Sequence, residues 1–578
     1  MHKLIRIILL LAFVSLIAVS ANAQDETGGI LIGTNFGGDP TNMNPLISNN
    51  TVELALNEFL FPSLFNIDPE TRSPMKAGRN DQDNGLALDW TISDDGLVYT
   101  FSLRDDVTWN DGAPVTAYDY QFTFDALASE ATSSPRTDVL QSVESVEAVD
   151  ATTIVVTLKL ASCRVIEELD DFGILPQHII EPLLDGDFAA IDNLDYNKNP
   201  NVTSGVFNFG TLIPDEQTSL IRNDNHWMPV SPDGYVIRNV PDQIVGVEQF
   251  LAGEVNSVGT AGSASVPAVR MQEFRDRAAA GEFQIYEYVD DGLTFVGFNL
   301  ADRNNPMDGL DEDGNHIDQG THPLFSDIRV RQAIAQAINY DDIIEGAANG
   351  EGVQVNSFGT PALWGYDSSM EPWQYNPEAA LALLAEAGFV DDDNDPSTPL
   401  IATEDALYAE AGTPFAFQLL TNSGNVVREA AGTVIQDQLG RIGIDVDFQT
   451  QEFGALVQLL LGQDFDAIMI GFTNLDQDTD ARNVFTPVGD GVGGGFNFVS
   501  YRNDRVTELY EQALSLPGCD LGERQALYHE VSQILHDELP WLWLFAPNSM
   551  YAEANSVQNW QPYAEMRYVN MADIAISP

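Results

Sequence analysis

Over residues 90–160 the apolar positions recur with a period of two. Leu97, Tyr99, Phe101 and Leu103 alternate with polar neighbours, the signature of a half-buried strand. Asn110-Asp111-Gly112 is a turn signal, and residues 143–149, 150–151 and 154–160 read as strand, turn and strand of a hairpin. This stretch predicts a β-rich unit. Further on the period lengthens. Residues 327–344 predict one helix with Val330, Ile334, Ala337 and Ile338 on its buried side. Asn376-Pro377-Glu378 offers an N-cap, a proline at the first helical position and an early acid. Leu381, Leu384 and Ala385 then mark one face, and Gly388 closes the helix.

Residues 414–473 alternate between the two periods. A strand is predicted at 415–420, a helix at 426–439 and a strand through Ile442, Ile444, Val446 and Phe448. A helix at 453–461 and a buried strand at 465–472 follow. Such a βαβαβ order implies a parallel sheet with right-handed crossovers. Ligands of open parallel sheets bind beyond the carboxyl ends of the strands. Those ends are Thr421-Asn422-Ser423-Gly424, Gln449-Thr450-Gln451 and Thr473-Asn474, all polar and uncharged. They suit a recognition surface, although ordinary surface loops have the same composition. Residues 523–537 predict an amphipathic helix leading into a strand at 541–545. The glycine-rich run 489–495 reads as a mobile loop, with a lid over a ligand as its alternative.

A chain of 578 residues exceeds what one core supports, so at least two lobes are expected. Charge changes the picture more: 25 Lys and Arg face 88 Asp and Glu, a formal net charge of −63. That surface repels nucleic acid and anionic lipid, which excludes both as partners. The acids are spread along the chain, as in a solvated surface. At the N-terminus Lys3 and Arg6 precede an apolar run at 7–19, and Ala21-Asn22-Ala23 offers a small-x-small cleavage site. A cleaved secretory signal is expected, with the mature start near Gln24. No cysteine lies nearby to carry a lipid, so a soluble periplasmic protein is predicted. The two cysteines, Cys163 and Cys519, are free to pair in an oxidising compartment, but sequence leaves their distance open. Two cysteines and seven scattered histidines show no ligand spacing for zinc, and neither metal nor cofactor is expected.

Several motifs resemble one family. Residues 39–45 (DPTNMNP) look like a DPxxLNP opening. The stretches LALDW (86–90), SDDG (93–96), YTFSLR (99–104), WNDG (109–112) and PVTAYD (114–119) are similar to LAxxW…DGxxYTFxLRxxVxFxDGxPxTAxD. Residues 174–178 (ILPQH) resemble ILPKH. SGVF at 204–207 stands where GTGPY is expected, followed by Arg222-Asn223 and His226-Trp227. Residues 325–334 (FSDIRVRQAI) match PFxDxRVRQAL, and 387–389, 438–439 and 442–444 match AGF and QLxxIGI. Together they resemble the extracellular solute-binding proteins of family 5, the peptide/nickel-type receptors of ABC importers.

The resemblance implies an α/β fold, a periplasmic-binding-protein-like two-lobed clamshell of the three-domain type. Its parts would be a signal peptide (1–23), a discontinuous lobe I (24–60, 200–283 and 541–578), an inserted β-rich domain II (61–199) and an α/β lobe III (284–540). It further implies a monomer that closes on a peptide or other small solute and is then recognised by a membrane permease. Asn35, Phe36, Thr421, Asn422, Ser423, Gly471, Phe472, Thr473, Asn474, Asp476 and Trp364 are the expected ligand-binding residues, with Trp364 and Trp373 weighed also as core. Peptide-binding relatives carry Gly-Trp-x-x-Asp after the third strand; here the segment is GFTNLD (471–476), with the acid one residue late. One step along a strand reverses a side chain, so Asp478 and Asp480 are alternatives for meeting a peptide amine.

Two acidic loops, 311–315 and 391–395, resemble calcium loops. The first has Gly309 at the first position and lacks a Glu at the twelfth; the second has Pro396 where glycine is required. Solvated acidic insertions are the simpler reading. An oligosaccharide or nickel-chelate receptor, or a sensory receptor, would share the pattern. A secreted glycosidase is the rival of another class, because among 88 acids some pair always lies close. There is no G-x-S-x-G, and His529-Glu530 has no second histidine to complete H-E-x-x-H. His529 and His536 share a helical face and are expected to be exposed.

Overall fold

The computed structural model describes residues 28–35, 38–48, 50–68, 74–75, 85–137, 139–170, 172–259, 266–393, 395, 398–473, 475, 477–564 and 566–577. The segment expected to be an export signal with its cleavage point, Phe36, Asn474 and Asp476 lie outside the described residues, as do Asn394 of the second acidic loop and Pro396 just after it.

The chain opens on β1 (Ile30–Asn35) and leaves it for a separate antiparallel sheet. That sheet holds β2 (Ala87–Ile92), β3 (Val98–Leu103), β4 (Val143–Asp150) and β5 (Thr153–Leu158), in the order β2-β3-β5-β4. The predicted alternation decides its inner face: Tyr99, Phe101 and Leu103 are buried, as are Ile154, Val156 and Leu158 opposite. The chain then returns to complete the first sheet with β6 (Phe207–Ile213), β7 (Gln217–Arg222) and β8 (Gly234–Asn239), ordered β1-β8-β7-β6, with β1 and β8 parallel. Both sheets contribute to one hydrophobic core, which also takes in Val557, Tyr568, Met571 and Ile574 near the C-terminus.

Apart from three two-stranded pairs, the remaining strands form a seven-stranded mixed sheet: β9 (Phe283–Val289), β10 (Leu293–Phe298), β11 (Gly352–Gln354), β12 (Ala416–Asn422), β13 (Asp445–Gln451), β14 (Ala467–Phe472) and β15 (Trp541–Ala554). The order is β9-β15-β10-β14-β12-β13, with β11 beside β15. β12 pairs in parallel with both β13 and β14, as the βαβαβ pattern requires. Its crossover helices are α1 (Val426–Gly440) and α2 (Phe453–Leu461). A second large core spans Leu293 to Ala546.

β15 belongs to two cores. Its first half, Trp541 to Ala546, is buried in the core of β10, β12 and β14, whereas Met550 and Ala552 join a small core with Phe250, Phe274 and Phe283. The chain thus passes between cores at Pro547-Asn548 and again at Asp290-Asp291-Gly292. The two crossings are bonded together: the Asp290 N–H donates to the Pro547 carbonyl (2.9 Å), and the Ser549 hydroxyl donates to Asp290 Oδ2 (2.8 Å).

Several local expectations need correction. Residues 327–344 form two helices, Ile328–Ala337 and Tyr340–Ala348. The apolar period runs through the break because Ile338 is itself fully buried, but Ile338 is extended and the Asn339 N–H is taken by Gln438 of α1. β13 starts at Asp445 instead of Ile442, because Gly443 turns the chain at φ +77°. The glycine-rich run is tied down: the Gly493 N–H donates to the Leu461 carbonyl, the Val492 N–H to Asp308, and Asp490 is buried against Gln319 and Gln463. His536 is buried, with Nδ1 2.8 Å from the Asn356 carbonyl, and Trp373 stacks on its ring.

Asp466, just before β14, organises the base of this sheet. Arg303 lies 2.7 Å from it and His322 3.2 Å, and the Gln418 N–H donates to it at 2.9 Å. Burial opposes its charge, yet these partners outweigh burial and bring its pKa down to about 2. A carboxyl depressed in the folded state stabilises above its unfolded pKa and loses that contribution as pH falls through the folded value. The contribution, roughly 2 kcal/mol, should be present at neutral pH and fade between about pH 4 and pH 2. In urea titrations, Asp466→Asn is expected to cost about that much at pH 7 and progressively less over this window. An equal cost at pH 7 and pH 2 would show that the charge is not what matters.

Candidate functional site

The carboxyl ends of β12, β13 and β14 come together beside the crossing at Asp290-Asp291-Gly292. Thr421 is fully buried and its hydroxyl donates to the Met469 carbonyl (2.8 Å), so it staples β12 to β14 instead of facing a ligand. The exposed Ser423 donates its N–H to the Gln451 carbonyl at 2.7 Å, which closes the β12 and β13 ends into one rim. Gly471 pairs with Thr294 of β10. A Cβ there would sit 2.8 Å from the Leu293 carbonyl oxygen and 2.9 Å from Arg428 Nη2. Only glycine lets the guanidinium lie against the strand at that point.

Phe472 is half-buried, edge-on to Phe295 and Trp541, both with centroids at 5.4 Å. Thr473 is exposed. Asn422 accepts a 2.9 Å hydrogen bond from Arg428 Nη1. Asn422, Ser423, Gly471, Phe472 and Thr473 therefore share one rim. Arg428, in the first turn of α1, is the functional candidate that pattern reading missed. Its signal was available: a cation three places after an N-cap, directly behind a strand end, in a strongly acidic chain.

The other expected residues are placed elsewhere. Asn35 ends β1 in the other core, is buried, and spends its amide on the Gly38 carbonyl (2.6 Å). Trp364 belongs to a second cluster. Its ring lies under the Arg524 guanidinium at 5.4 Å and edge-on to Tyr528 at 5.8 Å. Asp478 sits at the centre of that cluster, 1% exposed, accepting from Arg524 (2.7 Å) and from the Tyr528 hydroxyl (3.1 Å). Asp480 pairs with Arg482 at 2.8 Å. Both acids are thus committed to arginines, which removes the suggestion that either waits for a ligand amine.

Arg164 approaches the same two acids from the other core, 3.4 Å from Asp478 and 3.5 Å from Asp480. Beside it Cys163 is disulfide-bonded to Cys519, and the Cys163 N–H donates to the Leu514 carbonyl at 2.7 Å. The question that sequence left open is settled by contact. The bond joins the loop after β5 to the connection between helices Asp504–Leu514 and Leu521–Glu538. It therefore ties the two large cores together directly, whereas the strand crossings join one large core to the small one.

In the first acidic loop, Asp311 Oδ1 accepts from the N–H groups of Asp313 and Asn315, so that carboxylate caps its own turn. Among the described residues no group of three or more His, Cys, Asp or Glu is placed to hold a metal ion, and no helix is long and apolar enough to cross a membrane.

A fold with two large cores, two strand crossings and a polar rim at parallel strand ends has known counterparts. The family model for the middle region of the bacterial extracellular solute-binding proteins, family 5, matches residues 82–492. The chain belongs to this family. A curated relative, the oligopeptide-binding protein AppA of Bacillus subtilis, is 26% identical over 560 residues, covering 96% of this chain and 92% of the relative. The solved structure of that protein in complex with a nonapeptide superposes with a TM-score of 0.69 at 24% identity, over 96% of this chain and all of the other. NikA from Brucella suis in complex with Fe(III)-EDTA gives a TM-score of 0.75 at 18% identity, over 95% and 100%. The expected fold class is borne out: this family 5 protein has the mixed α/β architecture of the periplasmic binding proteins.

Proposed function

We propose that this family 5 protein is the receptor of an ABC importer and captures a peptide between its lobes. The observation that carries the reading is the rim at the ends of β12, β13 and β14, set beside the paired crossings that join one core to the other. A ligand held there touches both lobes and stabilises their closed arrangement, which a permease would recognise. The likeness to AppA supports a peptide over other solutes. The lobes take the boundaries 24–60, 200–283 and 541–578 for lobe I, 61–199 for the inserted domain and 284–540 for lobe III. Binding falls to Asn422, Ser423, Gly471, Phe472 and Thr473 on the rim, and the family resemblance further assigns Asn35, Phe36, Asn474, Asp476 and Trp364 to the ligand. Removal of residues 1–23 would release the protein into the periplasm. Binding without chemical conversion is the whole of its activity.

A thermal-shift screen tests the reading. Di- to pentapeptides at about 100 times their Kd should add roughly 2.7 kcal/mol of stability and compact the molecule in small-angle scattering. An oligosaccharide or nickel chelate that shifts the melting point while every peptide leaves it unmoved would overturn the peptide assignment.

A further inference from the structure

Arg275 holds one carboxylate on each side of the strand crossings. It stands on the helix Ala268–Ala279, whose Met271 and Phe274 pack in the small core with Phe250, Phe283, Met550 and Ala552. Its Nε donates to Glu287 at 2.8 Å, and Glu287 lies on β9, which pairs with the second half of β15 beside that same core. Its two terminal nitrogens reach Glu351 as a fork, Nη1 to Oε1 at 2.6 Å and Nη2 to Oε2 at 2.7 Å. Glu351 belongs to the other side. It follows the helix Tyr340–Ala348, whose Ile343 and Ala347 are buried in the large core, and its N–H donates to the Ala348 carbonyl at 2.9 Å.

Glu351 also grips the crossing itself. The Asn548 N–H donates to the Glu351 carbonyl at 3.2 Å, Asn548 Nδ2 donates to its Oε2 at 3.4 Å, and the next residue, Gly352, pairs with Pro547. Glu351 is buried, yet the Arg275 guanidinium holds its carboxyl below the usual range against that burial. Such a planar fork is intolerant of displacement: a shift on the order of 1 Å takes both bonds past hydrogen-bonding distance. Rotating one core against the other about Pro547-Asn548 and Asp290-Asp291 moves Glu351 relative to Arg275. Glu287 keeps its place, because β9 and the helix of Arg275 share one core and turn together.

We propose that the Arg275–Glu351 pair is a hinge clasp, which favours the lobe arrangement seen here and so sets ligand affinity without touching the ligand. The inference rests on the receptor reading and adds its control. In this arrangement the two large cores also meet at Cys163–Cys519 and where Arg164 faces Asp478 and Asp480. Clasp and contacts therefore favour the same state. A ligand held between the lobes needs that state, and its apparent affinity scales with the fraction of molecules that occupy it. Arg275 and Glu351 are positioning residues, since neither belongs to the rim at the strand ends.

Two acids on one guanidinium supply an internal control. Glu351→Gln keeps the side-chain size and removes the charge across the crossing; Glu287→Gln removes the same charge on the near side. In the ligand-free protein with its disulfide reduced, Glu351→Gln should give a larger radius of gyration than wild type in small-angle scattering, and Glu287→Gln should not. Arg275→Gln, which opens the clasp from its other end, should match Glu351→Gln. With the disulfide intact the difference should shrink, because a second link then limits the swing. Calorimetry with di- to pentapeptides should show affinity weakened on the order of 3- to 10-fold by Glu351→Gln and unchanged by Glu287→Gln. Identical scattering from the two glutamate variants, or identical peptide affinity, would overturn the clasp. Scattering that separates them, in a protein to which no peptide binds, would keep the clasp and discard the peptide reading.

Discussion

Arg567→Met will cost about 3–5 kcal/mol of stability, because it strands a buried carboxylate. Arg567 and Glu553 are both fully buried and lie 2.9 Å apart. The guanidinium also donates to the Ser257 hydroxyl (2.8 Å) and the Ala552 carbonyl (3.0 Å), and Tyr568 donates to Glu553 at 2.8 Å. Burial already pushes the Glu553 carboxyl above its ordinary range, even with the arginine beside it. Without Arg567 it would rise further. A carboxyl raised in the folded state favours folding at low pH and loses that advantage as pH climbs through the folded value. The deficit of the variant should therefore be largest at neutral pH and shrink towards pH 4, and adding Glu553→Gln should recover part of it. Urea titrations at pH 7 and pH 4 check this; a loss below about 1 kcal/mol at pH 7 would show that the network relaxes around the missing charge. Because Glu553 lies on β15 and Ser257 packs in the same network, the effect belongs to the lobe that holds the chain's last segment.

Reducing the Cys163–Cys519 bond will loosen the molecule as a clamshell before it loosens either lobe. The bond and the Arg164 contacts to Asp478 and Asp480 hold the two cores together away from the crossings. A disulfide stabilises chiefly by limiting the states available without it, typically about 2–4 kcal/mol. Here the states excluded include those in which the folded lobes swing apart. Cys163→Ser with Cys519→Ser, or treatment with reductant, should enlarge the radius of gyration of the ligand-free protein and leave the secondary structure unchanged. Ligand affinity should fall, since the binding-competent arrangement becomes a smaller fraction of the population. Scattering curves that coincide with and without reductant would show that the ion pairs alone suffice.

Much of this protein is legible from its sequence, and the reason is range. The alternation of Tyr99, Phe101 and Leu103 decided one face of a sheet, and the switch of period between 415 and 472 decided strand, helix and strand. Both depend only on neighbours a few residues away. Family motifs such as YTFSLR and FSDIRVRQAI carried the architecture further than periodicity could. The local rules failed where a distant partner intervened: Gln438 captures the main chain at Asn339 and breaks a helix that the period alone would continue.

The candidate site shows the same division. The polar strand ends were visible because strand order dictates where a parallel sheet opens. Which of their residues face a ligand was not, and Thr421 turned out to be a staple. By itself the sequence determined an acidic α/β chain of at least two lobes with polar loops at its parallel strand ends. Only the tertiary structure decided that Cys163 meets Cys519, that Asp478 and Asp480 are already paired with arginines, and that Arg428 rests against Asn422 behind a strand end. Periodicity is a property of adjacent residues. The partner of a charge or a thiol is chosen by chain segments hundreds of residues apart, and only their packing brings them within reach.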